Sequence, residues 1–174
     1  MSNSGTTETK THSSSISIFS PEFKKILIPH DGSEMSDRSL KYSIYLSKIS
    51  GAEIVILNVI DQPENLLPAS AVAFFTPRDK LEEIKDKLQS SSKESASQIL
   101  EERIKLSKKE GVTKASYIIR EGKPVDQIVA VSEEMGIDLI IMASSRIAST
   151  VRVLGSNAKR VIDSVRKPVL IIHE

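Results

Sequence analysis

Two short segments of this chain bring together residue types suited to binding a ligand with hydroxyl and anionic groups. The first is Pro29-His-Asp-Gly-Ser33. Asp31 can accept hydrogen bonds from a ribose hydroxyl or an amino group, and Gly32 lets a ligand approach the backbone closely. His30 faces either the crevice or solvent. No carboxylate partner can be assigned to it from the sequence, so it is given no catalytic role. The same residues also make ordinary turn chemistry. Asp31 can head an Asx-type turn and Ser33 can cap a helix, with Glu34 or Asp37 at the helix's positive end. Taken locally, that plainer reading is the favoured one. The second segment runs from Met142 and Ala143 through Arg146 and Arg152 to Gly155, Ser156 and Asn157. A helix starting at Gly155-Ser156 presents unpaired N–H groups and a partial positive charge, which suit phosphate oxygens. The arginines can add charge-assisted contacts. The alternative is a helix capped by Ser156, with both arginines in solvent.

Between these segments, short apolar runs alternate with helical patterns. Lys25–Pro29 reads as a buried strand, followed by a helix containing Leu40 and Ile44 and closed at Gly51. Glu53–Ile60 is rich in β-branched residues and apolar on both faces, as expected of an interior strand in a parallel sheet. Pro63, Pro68 and Pro77 mark a connection that is unusually apolar from Leu66 to Phe75. Arg78 to Glu110 contains neither Pro nor Gly and reads as one long helix, expected to fray or bend at its Ser-rich middle, Gln89–Ser92. Ala115–Arg120 is a third strand, Pro124–Glu134 a third helix, and Asp138–Ala143 a fourth strand. A helix from Ser156 to Val165 and a strand from Lys167 to Ile172 complete the pattern. Right-handed crossovers turn this βαβαβαβαβ succession into an open, doubly wound, five-stranded parallel α/β sheet with helices on both faces. Ligands of such sheets bind beyond the carboxyl ends of the strands, where the winding reverses. Both ligand-suited segments belong there.

Composition narrows the function further. The 174 residues carry 24 Lys+Arg against 23 Asp+Glu, a formal net charge of +1. That balance disfavours a nucleic-acid binder driven by phosphate neutralisation. The absence of cysteine excludes disulfides, thiolate metal sites and Cys nucleophiles. Residues 1–22 are mostly polar and lack the apolar run of a secretory signal, so they are expected to form a disordered tail before one domain at 23–174. No stretch approaches the roughly 20 apolar residues of a membrane span. A cytoplasmic location is expected. There is no Walker A loop and no GxGxxG fingerprint after the first strand.

Lys25-Ile-Leu-Ile-Pro-His-Asp-Gly-Ser-Glu-Met-Ser36 resembles the opening of the universal stress protein family. Arg120-Glu-Gly-Lys-Pro124 with Ile128, Asp138–Met142, Gly155–Ile162 and Lys167–Ile172 resemble its later segments, in the same order. The resemblance implies an adenine nucleotide alpha hydrolase-like, Rossmann-like sheet and a homodimer paired through the last strand, Pro168–Ile172. It also implies, in one branch of the family, a bound ATP or related adenine nucleotide, with or without Mg²⁺. On that basis Pro29 and Asp31 lie beside the adenosine, Val59 contacts the adenine or its sugar, and Met142 and Ala143 approach from the fourth strand, with His30 counted among the binding residues. Arg146, Gly155, Ser156 and Asn157 lie towards the phosphates. The nucleotide-binding branch carries Gly-2x-Gly-9x-Gly-[Ser/Thr]. Here Ala143 and Arg146 occupy the first two glycine positions, and eight residues rather than nine separate Arg146 from Gly155. Arg146 then either obstructs the backbone approach or supplies a guanidinium to the phosphates.

Three functions are therefore weighed. One is a stress-response protein with an adenine nucleotide as regulatory ligand. Another is a dimer of the same family that binds no nucleotide and acts through protein contacts. The third, an enzyme of the wider superfamily, lacks both a Ser-Gly-Gly and a His-Ile-Gly-His signature. With no metal-binding carboxylate cluster and no general base in evidence, ATP hydrolysis is expected to be at most slow or partner-dependent. The last strand is apolar on both faces and expected at a sheet edge, where pairing with a second copy would cover it.

Overall fold

The computed structural model describes residues 23–60, 78–144 and 154–173. Its five strands are β1 (Lys25–Pro29), β2 (Glu53–Ile60), β3 (Ala115–Glu121), β4 (Leu139–Ala143) and β5 (Val169–Ile172). Its helices are α1 (Glu34–Ser50), α2 (Arg78–Lys109), α3 (Pro124–Glu134) and α4 (Ser156–Ser164). All strand pairs are parallel and the sheet order is β3-β2-β1-β4-β5. The chain therefore winds outward in one direction from β1 and in the other from β4, as expected of a doubly wound sheet.

Period-two alternation explains how both faces are filled. Ile26, Ile28, Ile54, Ile56 and Ile141 point to one side, where they pack with Leu40 and Ile44 of α1 and Leu100 of α2. Leu27, Val55, Leu57, Ile140 and Met142 point to the other, against Val125, Ile128 and Val131 of α3 and Ala158 and Val161 of α4. The apolar runs of β1, β2 and β4 were readable as interior strands for this reason. Residues 25–29 register on 53–57, with Ile26 opposite Ile54 on one side and opposite Leu139 on the other.

Several boundaries differ from expectation for tertiary reasons. β4 starts one residue late because the Asp138 carboxylate accepts the backbone N–H groups of Lys24 (2.9 Å) and Lys25 (3.0 Å). β5 starts at Val169 because Pro168 has no N–H and contributes only its carbonyl, to Ile140 N–H. α2 runs unbroken through its Ser-rich middle. Gln89 donates to Glu121 at the end of β3, Lys93 pairs with the same carboxylate at 2.6 Å, and Ser90 Oγ donates back to the Asp86 carbonyl. The two contacts to Glu121 hold this stretch on β3 and offset the low helix propensity of its serines.

Candidate functional site

The switch in winding falls between β1 and β4, and a cleft of about 240 Å³ opens there beyond the strands' carboxyl ends. Pro29, His30 and Asp31 line it from β1, Val59 from β2, Met142 and Ala143 from β4, and Gly155, Ser156 and Asn157 from the start of α4. Nine of the ten residues singled out in the sequence thus meet around one cavity. The tenth, Arg146, lies outside the described residues, as does Arg152.

The turn after β1 combines both readings made of it. Asp31 Oδ1 accepts the Ser33 N–H (3.0 Å), the Ser33 hydroxyl (2.6 Å) and the Ser36 hydroxyl (2.9 Å). Ser33 in turn caps α1, its Oγ accepting the Ser36 N–H. Gly32 sits at φ +87°, a left-handed conformation that a side chain would strain. All these bonds fall on Oδ1, so Oδ2 receives no hydrogen bond from another described residue, and Asp31 is exposed at the cleft. Burial pushes the Asp31 carboxyl upward, but the hydrogen bonds from Ser33 and Ser36 outweigh it and hold it below the ordinary carboxylate range. The residue is a turn-former and an ionised acceptor at once.

His30 has a partner that the sequence did not reveal. Its side chain is fully buried, and Nε2 lies 3.0 Å from Asp37 Oδ1. Nδ1 accepts the Gly32 N–H at 3.1 Å. With Nδ1 acting as acceptor, the ring proton sits on Nε2 and is donated to Asp37. Both ring nitrogens are therefore committed inside the protein, and the imidazole offers no lone pair to a ligand. Asp37 is also gripped side-on by Arg103 of α2, through Nε (2.8 Å) and Nη2 (2.9 Å). Burial would raise its carboxyl pKa, but hydrogen bonds from Arg103 and His30, together with the Arg103 charge, lower it below the usual range.

At the opposite rim the helix cap is Gly155, not Ser156, and no side-chain oxygen caps it. The first intrahelical bond joins Lys159 N–H to the Gly155 carbonyl, so the N–H groups of Ser156, Asn157 and Ala158 precede the ladder. The buried Ser144 hydroxyl accepts the Gly155 N–H at 2.9 Å and ties the helix start to the end of β4. Ala143 fits without strain, since no described non-glycine residue has positive φ.

The sequence reading missed the apolar floor, chiefly Leu57 and Ile128, and Ser144 between the two rims. Leu57 was recoverable, because it lies two residues before Val59 on the same strand and so shares its face. Among the described residues, no group of three or more His, Asp or Glu side chains is placed to hold a metal ion. No helix among them is long and apolar enough to cross a membrane.

The family model described as the universal stress protein family matches residues 22–173. Universal stress protein MJ0577 of Methanocaldococcus jannaschii is 32% identical over 158 residues, covering 86% of this chain and 94% of that protein. Its solved structure superposes with a TM-score of 0.71 at 31% identity, over 88% of this chain and 97% of that one. Two more distant structures share the fold. One is a universal stress protein in complex with cAMP, with TM-score 0.61, 20% identity, and coverage of 87% of this chain and 98% of that one. The other, from Archaeoglobus fulgidus in complex with dAMP, has TM-score 0.55 and 19% identity, with the same 87% and 98% coverage.

Proposed function

Because the chain belongs to the universal stress protein family, we propose that it binds an adenine nucleotide in the β1–β4 cleft as a regulatory ligand. The observation that carries this reading is the pairing of an ionised acceptor on one rim with an uncapped helix start on the other, across an apolar floor. Asp31 Oδ2 suits a ribose hydroxyl, Leu57, Val59 and Ile128 suit a purine face, and the first N–H groups of α4 suit phosphate oxygens. At about 240 Å³ the cleft is smaller than the roughly 300 Å³ at which small-molecule pockets usually begin. It therefore fits the nucleoside, and the phosphates extend past Gly155 towards the rim. Relatives of the same fold are solved with cAMP and with dAMP, which agrees with an adenine ligand. Any Mg²⁺ would be held chiefly by the phosphates, as is usual for nucleotide-bound Mg²⁺.

The protein acts as a homodimer paired through β5 in this reading, and location in the cytoplasm goes with it. With both of its nitrogens internally bonded, His30 is not the base for any hydrolysis in this reading.

Calorimetric titration of the full chain with ATP, with and without Mg²⁺, tests the proposal. Saturable binding is expected, and no heat at millimolar ATP would refute it in favour of a dimer acting through protein contacts. Asp31→Ala is expected to weaken binding by about tenfold or more, the worth of a hydrogen bond to a charged group. Gly155 has φ −56°, open to any residue, so Gly155→Val probes ligand approach rather than backbone strain. It is expected to weaken binding at least as much.

A further inference from the structure

A part-buried chain of hydrogen bonds from Gly32 through the buried His30 and Asp37 to Arg103 joins the cleft to the long helix. We propose that Arg103 is a positioning residue for the cleft, holding the Asp31-Gly32 turn in its ligand-ready form through Asp37 and His30. The proposal rests on the nucleotide reading of that cleft.

Each link is directional. Arg103 fixes both carboxylate oxygens of Asp37 with a two-point contact, so the carboxylate plane is set by α2. Asp37 Oδ1 accepts a hydrogen bond from the Nε2–H of His30, which leaves Nδ1 as the acceptor for Gly32 N–H. That last bond pins a residue at φ +87°, next to the acid that faces the ligand. The same helix also faces the turn, because a Cβ added at Gly32 would meet Ile99 Cδ1 of α2 at 3.7 Å, ordinary van der Waals contact. His30 is buried and touches the ligand with neither nitrogen, so its side chain and Arg103 act through the turn. The coupling runs both ways: a ligand that stiffens Asp31 tightens the hold on α2.

Arg103→Met keeps the stem and removes the fork, whereas Arg103→Lys keeps the charge and a single contact. In wild type, ¹⁵N NMR is expected to show His30 protonated on Nε2. Arg103→Met is expected to shift the Gly32 amide resonance and to weaken ATP binding by about tenfold, within the usual range of coupling between sites. Arg103→Lys is expected to restore part of both. His30→Asn cuts the link to Asp37, so in that background Arg103→Met is expected to have no further effect on either readout. Additive effects, or an unmoved Gly32 resonance, would overturn the relay whether or not ATP binds. A moved Gly32 resonance in a protein that binds no ATP overturns the nucleotide reading alone. If Arg103→Met does not fold, Arg103→Lys carries the same measurement, with a smaller shift in the same direction.

Discussion

Asp37 is where electrostatics, stability and the cleft meet. Its folded-state carboxyl is held below its ordinary value because hydrogen bonds from Arg103 and His30 outweigh the burial that would raise it. A depressed carboxyl contributes stability that is present above the unfolded pKa and lost as pH falls through the folded one. Asp31 shifts in the same direction through Ser33 and Ser36, so it adds to the same loss. Thermal melts are therefore expected to weaken on acidification below about pH 4. Asp37→Asn is expected to lower Tm at neutral pH, with the gap to wild type closing as the pH falls through that window. A gap independent of pH would show that Arg103 and His30 hold Asp37 for shape and not for charge. These contacts were invisible in the sequence for two separate reasons. Asp37 reaches His30 only because one turn of α1 folds it back over β1, and Arg103 is 66 residues further along the chain. The Asx turn and the Ser33 cap were legible because both are made within five residues.

The long helix α2 shows how unevenly an element can be anchored. Ala96 and Leu100 are buried, Leu100 in the core with Ile54 and Ile56 of β2, whereas Ile84 and Leu88 in the first half of α2 remain 43% and 39% exposed. Helices draw most of their stability from such packing. Leu100→Ala is expected to cost about 2–5 kcal/mol in urea unfolding, as buried Leu truncations do. Leu88→Ala, on a largely solvated face, is expected to stay within about 1 kcal/mol. Equal costs would mean that the first half of α2 is as firmly packed as the second. The strands were readable because a residue run buried on both faces must be apolar at every position, as Ile26–Ile28 and Ile54–Leu57 are. Their ends were less so, because Asp138 and Pro168 are set by partners on other strands. The floor of the cleft suffered similarly: Ile128 reads as core, and only the sheet order brings it under Met142 and Asp31.

At the scale of the whole molecule, β5 leaves one side of the sheet unfinished. Among the described residues it pairs with β4 alone, and Leu170 on one of its faces is 37% exposed. A net charge of +1 gives little repulsion against self-association. An exposed apolar edge strand invites pairing, and a two-fold contact of β5 with β5 satisfies it without an open-ended filament. Four residues of strand alone bury far less than the roughly 1,200 Å² of a stable specific interface. A dimer contact built on β5 would therefore have to extend beyond the strand. Ile162, exposed on the helix just before β5, is an apolar residue available for it. Ile172 is a poor probe, because it is buried in the subunit's own core and a charge there would damage the fold itself. Leu170 is partly exposed, so Leu170→Glu leaves the buried core residue of β5, Ile172, in place. Wild type is expected to sediment as a dimer of the 19.2 kDa chain, Leu170→Glu as monomer with little change in Tm, and Ile162→Glu as a weakened dimer. A monomeric wild type, or a Leu170→Glu dimer of unchanged affinity, would place the partner on another face and leave the β5 edge to be protected by other means.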